Sequence, residues 1–145
     1  MIYKTFQDIQ LSQLAMGTMR LPKLSEAEAD VDVAQVKEMV ALAMEGGVNY
    51  YDTAYGYHDH ESEKVMGEIL KAYPRESFYL ATKFPGYDSA NWPKVKEIFA
   101  EQLERLQTDY FDFYLVHNVC EMNIDAYLDE EQYGIRTYLT EQRRN

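Results

Sequence analysis

A chain of 145 residues falls within the span of one domain, and its 46% hydrophobic residues are enough to bury a sizeable core. The 25 acidic against 14 basic residues give a net charge of −11, which argues against nucleic acid or an anionic membrane as partner and is read as the charge of a soluble protein. A single cysteine, Cys120, excludes an internal disulfide and fits a reducing, cytoplasmic setting; the N-terminus is too polar for a signal peptide, and the longest apolar run, Met39 to Met44, is too short to span a bilayer.

The first twenty residues read as short strands around Gln7, a candidate hairpin, leading into a buried strand near Leu14–Met19. The polar stretch from Pro22 to Asp32 follows as a loop. Val33, Val36, Val40 and Ala43 recur at helical spacing, and Gly46-Gly47 stops that helix. Val48–Asp52 is a short strand. A second helix from Ser62 to Tyr73 places Val65, Met66, Ile69 and Leu70 on one face, and Pro74 ends it. The unit then repeats. Phe78–Lys83 is a strand, Ser89 to Pro93 starts a helix, and Val95, Ile98, Phe99, Leu103 and Leu106 form its apolar stripe. Tyr110–His117 is a fourth strand, and Asn123 to Arg144 is expected to be one fourth helix.

Strands alternating with helices every 25 to 35 residues predict βαβ units and a parallel sheet, an α/β fold with the strands covered on both faces. Asp52, Lys83 and His117 then stand at the carboxyl ends of three successive strands, with Tyr57 just beyond the first. In parallel α/β folds that edge binds ligands. No glycine-rich phosphate fingerprint follows any strand, which weakens a Rossmann or P-loop reading.

The run GGVNYYDTAYGY, then SEKVMGEIL, then LATK, then DFYLVH resembles the aldo-keto reductase family, and the early LAMGTMRLP is similar to that family's first barrel strand. Each motif is weak alone; four in order at successive strand ends are specific. The resemblance implies a (β/α)8 TIM barrel of which about the first four βα units are present. It also implies reduction of a small-molecule aldehyde or ketone by hydride from NADP(H), with Asp52, Tyr57, Lys83 and His117 catalytic. Proton donation by a phenol, whose ordinary pKa is near 10, is helped by a nearby ammonium that favours phenolate. In that scheme Tyr57 is the acid, Lys83 tunes it, Asp52 anchors the lysine and His117 orients the carbonyl. Gly17, Thr18, Met19 and Asp52 are the positions expected to face the nicotinamide, and the rest of the cofactor site has no candidate here.

A full barrel needs about 250 residues, so residues 1–145 are read as a single domain, the N-terminal half of such a barrel, truncated and inactive alone. Its open edges predict self-association. Two other readings are weighed. A non-catalytic interaction or regulatory domain could retain the fold and the tetrad. His58 and His60 raise a metal-dependent hydrolase, but two solvated loop histidines explain them as well, and no metal site is assigned. Tyr55 could line a substrate pocket or only shape its loop, and Cys120 reads as a plain half-buried thiol.

Overall fold

The computed structural model describes residues 1–143. Gln7 turns the chain at a positive φ of 53°, so β1 (Tyr3–Phe6) folds back on β2 (Ile9–Ser12) as an antiparallel hairpin with Phe6 opposite Ile9. The expected hairpin is therefore present, as a two-stranded sheet separate from the main one. Asn49 fastens it: its side-chain oxygen accepts from the Ser12 amide at 2.8 Å, and its own amide donates to Ser12 Oγ at 3.0 Å.

The main sheet holds β3 (Met16–Gly17), β4 (Tyr50–Asp52), β5 (Tyr79–Phe84) and β6 (Phe113–Val116), adjacent in that order and all parallel. Helices α1 (Val33–Glu45), α2 (Ser62–Leu70) and α3 (Val95–Arg105) are the crossovers. Asp32 caps α1 by accepting from the Gln35 amide at 3.0 Å. Gly46 and Gly47 end it, Gly47 at φ 83°. Gly67 lets α2 touch α3: a methyl at that position would meet the Arg105 carbonyl oxygen at 2.3 Å.

Strand alternation sorts the side chains. Tyr51, Leu80 and Phe84 point to the helices and are buried with Val36, Val40 and Met66 or, for Phe84, with Val95 and Ile98. Tyr50, Tyr79 and Phe113 gather on the opposite face, with ring centroids 5.1 Å (Tyr50–Phe113) and 6.4 Å (Tyr79–Phe113) apart, and Phe6 of the hairpin lies 5.9 Å from Phe113. The two adjacent tyrosines at the head of the 50–57 run thus serve opposite sides of the sheet.

Three expectations need correction. The helix expected from Asn123 to Arg144 is two, α4 (Ile124–Leu128) and α5 (Ile135–Gln142). Asp129 accepts from the Gln132 amide at 3.0 Å, and Gly134 takes a left-handed conformation at φ 61°, so the acidic stretch between them turns instead of continuing the helix; Arg144 lies outside the described residues. The early strand shrinks to two residues, and the Tyr110–His117 strand to four. Asp112, just before the latter, accepts from the Leu80 amide (2.8 Å) and from Arg75 (2.7 Å), which explains a carboxylate in an otherwise apolar run.

Candidate active site

Parallel register delivers the polar residues to one rim. Asp52 pairs with Gly17 on one side and Ala81 on the other, and Lys83 pairs with Leu115, two residues before His117. The His117 amide still donates to the Phe84 carbonyl at 3.0 Å, which extends the ladder to the histidine. Lys83 is buried to 8% exposure, and its ammonium donates to Asp52 Oδ1 at 2.6 Å and to the Thr53 carbonyl at 2.7 Å. Its third contact is the Tyr57 hydroxyl at 3.4 Å, with the Tyr57 ring centroid 4.9 Å away. A desolvated ammonium is costly unless its donors are satisfied, and a carboxylate, a carbonyl and a phenol surround this one.

His117 stands edge-to-face against Tyr57, with centroids 5.8 Å apart, and against Tyr87, 5.2 Å apart. Burial, then Lys83, lower its pKa from the ordinary 6.5, and Asp52 only partly opposes them. Its Nδ1 is buried with no hydrogen-bond partner among the described residues.

The positions expected to face the nicotinamide divide. Gly17 is exposed, and nothing lies within 4 Å of where a Cβ would stand. Met19 is exposed. Thr18 is wholly buried: its amide and hydroxyl both donate to the Asp52 carbonyl, at 2.9 and 3.0 Å, and its oxygen accepts from Ser62 at 2.8 Å. Its side chain is therefore bound up in the fold.

The loop histidines are unlike each other. His60 is exposed, but His58 is buried, and the solvated reading is wrong for it. His58 Nε2 accepts from the Leu21 amide at 2.9 Å, so Nδ1 carries the proton and donates to the Glu28 carbonyl at 3.0 Å. The ring ties Leu21, just before the 22–32 loop, to Glu28 within it, and neither nitrogen is available to a metal. Positive φ values at His58, Asp59 and His60 produce the turn that buries the ring. Tyr55 turns away from the rim: its hydroxyl donates to Glu101 at 2.9 Å and its ring lies under Arg105, so it shapes the loop.

A buried polar cluster behind the rim escaped sequence reasoning. Glu63 has no exposed surface, yet its Oε1 accepts from Thr82 Oγ1 and Gln102 Nε2, both at 2.6 Å, and Arg105 reaches Oε2 at 3.3 Å. Gln102 also donates to the Lys83 carbonyl at 3.1 Å and accepts from the Tyr114 hydroxyl at 2.6 Å. Burial raises the Glu63 pKa above the usual carboxylate range despite these donors. Beside it, Ser62 ties Thr18 to Thr53. Two adjacent residues at the start of α2 thus fasten the strand ends that carry Asp52 and Lys83. The available signal was its spacing: Glu63 stands three residues before Met66 and seven before Leu70, on the face of the apolar stripe.

A four-stranded parallel sheet with helical crossovers, carrying at its carboxyl rim an ammonium held between a carboxylate and a phenol, is part of an α/β barrel. The family model for the aldo/keto reductase family matches residues 13–134, and the chain belongs to that family. It is 29% identical to the NADH-specific methylglyoxal reductase of Escherichia coli over 127 residues, covering 76% of this chain and 39% of that protein. It is 32% identical to L-galactose dehydrogenase of Arabidopsis thaliana, covering 84% of this chain and 39% of that protein. An aldo-keto reductase from Klebsiella pneumoniae in complex with NADPH shares the fold, with TM-score 0.64 and 23% identity over 92% of this chain and 48% of that one. The holo form of an aldo-keto reductase from Bacillus halodurans gives TM-score 0.61 and 28% identity, over 88% of this chain and 45% of that one. The chain spans about two fifths of the length of these curated relatives and about half of these structures. Among the described residues no helix is long and apolar enough to cross a membrane.

Proposed function

We propose that residues 1–145 form one domain carrying the proton-transfer half of an NADP(H)-dependent carbonyl reductase, in a cytoplasmic setting. The observation that carries this reading is Lys83 Nζ, 2.6 Å from Asp52 and 3.4 Å from the Tyr57 hydroxyl. Tyr57 gives its proton to the substrate oxygen as that oxygen becomes an alkoxide. Lys83 stabilises the phenolate left behind, because a neighbouring ammonium favours the anionic form. Asp52 holds the lysine in place and offsets its burial. His117 donates a hydrogen bond from Nε2 to the carbonyl oxygen: a buried, unpartnered Nδ1 is better left a bare lone pair than an N–H, so the proton sits on the other nitrogen.

The residues present fit one end of the cofactor. Gly17 leaves open space beside Asp52, which suits a flat ring, and the exposed Met19 flanks it. A reduced nicotinamide supplies the hydride there. Thr18 acts through its backbone and its hold on the Asp52 strand end. No residue is assigned to the phosphate end in this reading. The test is reduction of a small aldehyde or α-dicarbonyl by a polypeptide that continues this chain through the remaining barrel strands; absence of turnover together with intact NADPH binding would overturn the catalytic assignment.

Because burial and Lys83 lower the His117 pKa, its imidazole is expected to be neutral at pH 7 and to protonate below the ordinary value of 6.5. The sign follows: a depressed basic group favours the folded state at high pH, and that stability is lost as pH falls through 6.5 toward the folded value. Proton NMR of the three imidazoles checks it, and a His117 midpoint above 6.5 would contradict the burial argument.

The 145-residue chain alone is expected to self-associate and to show negligible NADPH-dependent reduction. Among the described residues, strands β3 and β6 each pair on one side only. Beside β6 lies a groove of about 640 Å³ with Phe6, Phe99, Phe111 and Phe113 in its wall. Strand pairing and apolar burial, at about 25 cal/mol per Å², favour covering both. The net charge of −11 opposes association, so salt should promote it. Light scattering over a dilution series at two ionic strengths decides; a dispersed monomer that turns over an aldehyde would sink this expectation.

A further inference from the structure

A histidine that must present one nitrogen to a ligand is usually held by a hydrogen bond at the other. His117 lacks that bond: Nδ1 is buried without a partner among the described residues. What contacts its ring are two phenols in near-perpendicular geometry, Tyr57 at 82° and Tyr87 at 86°. Tyr87 comes from the loop after β5, is 48% exposed, and rests its hydroxyl against Gly56, where an added Cβ would lie 2.6 Å from that oxygen. The absence of a side chain at Gly56 is what lets the Tyr87 ring reach across the neighbouring loop to the histidine.

We infer that Tyr87 is a positioning residue that sets the rotamer of His117 by edge-to-face packing, in place of the missing hydrogen bond, with Gly56 as the gap that admits it. Contacts of this geometry favour one ring orientation roughly two- to tenfold. The hydroxyl of Tyr87 is not needed for this; its ring is. The charged and titratable groups around the imidazole are Lys83 on β5, Asp52 on β4, Tyr57 before α2 and Tyr87 itself, with Asp88 next to the latter. Lys83 and Asp52 are held by each other and by the Thr53 carbonyl, not by Tyr87, so a change at His117 in a Tyr87 variant reports the ring. The functional meaning rests on the carbonyl-orienting role proposed above, but the geometry does not, and the two can fail separately.

The test is NMR of the whole chain. His117 can be followed against His58, whose two backbone hydrogen bonds make its resonance a check on folding, and exposed His60. Tyr87→Phe is expected to leave the His117 shift and titration midpoint in place. Tyr87→Ala is expected to move the resonance toward the exposed-histidine position as the ring current is lost, and to raise the midpoint toward 6.5 as the ring is uncovered. Gly56→Ala, which displaces Tyr87 without removing it, should do the same to a smaller extent. An unchanged His117 shift and midpoint in Tyr87→Ala, with His58 unmoved, overturns the inference; so does an equal change in Tyr87→Phe, which would assign the effect to the hydroxyl. Loss of turnover in Tyr57→Phe or His117→Ala with these NMR results intact bears only on the catalytic reading.

Discussion

Tyr57→Phe, in a polypeptide that completes the barrel, is expected to lower kcat for carbonyl reduction by about 10²–10⁴-fold, the range of a lost general acid, while NADPH binding stays nearly unchanged. The substitution removes one atom. The ring keeps its place against His117 and beneath the Lys83 ammonium, contacts made at 5.8 and 4.9 Å by the aromatic face and edge. What disappears is the oxygen 3.4 Å from Lys83, the only proposed source of the proton that neutralises the alkoxide. Loss of a group that acts only in the transition state lowers kcat and kcat/KM together and leaves ground-state binding alone. Steady-state kinetics beside a fluorescence titration of the cofactor separate the cases. Near wild-type turnover removes Tyr57 from the acid role.

Glu63→Ala is expected to destabilise the fold by about 3–5 kcal/mol, the cost of breaking a buried charged network from one side. The substitution removes a carboxylate to which Thr82, Gln102 and Arg105 all donate, leaving Arg105 with Glu101 and Gln102 with the Lys83 carbonyl. Urea unfolding measures it, and a loss under about 1 kcal/mol, the size of an ordinary exposed pair, would mean that water replaces the glutamate. Glu63→Gln adds a pH test. Burial raises the folded-state pKa above the reference value of 4.5. Below 4.5 the carboxyl is protonated both folded and unfolded. As pH rises toward the folded value, the unfolded chain releases its proton first, and the folded state loses stability. The stability of the natural chain minus that of Glu63→Gln should therefore decline as pH rises through and above 4.5. A rise instead would show that Arg105 and the hydrogen bonds outweigh burial.

Much of this molecule was legible in the linear chain because its signals are local. Apolar residues at helical spacing marked α1, α2 and α3, and the period-two pattern put Tyr50 and Asp52 on one face of β4 with Tyr51 on the other. Polar residues ending three apolar strands put Asp52, Lys83 and His117 at one rim, since parallel strands place their carboxyl ends together. Where two signals competed locally, the reading failed: helical composition after Asn123 lost to the Asp129 side chain and the left-handed Gly134.

Only the tertiary structure decided which polar groups are buried and what satisfies them. His58 looked like any loop histidine, and it is a wedge because the distant Leu21 amide and Glu28 carbonyl come to its two nitrogens. Glu63 is a hub because Thr82, Gln102 and Arg105 converge on it from β5 and α3. Tyr87 reads as an ordinary loop residue until its ring is seen crossing Gly56 to reach His117. Burial of a polar side chain is tolerated only where partners meet it, and those partners lie 19 to 42 positions away in the chain. Local pattern carries the elements and the rim; the network that holds the rim exists only once the chain has closed on itself.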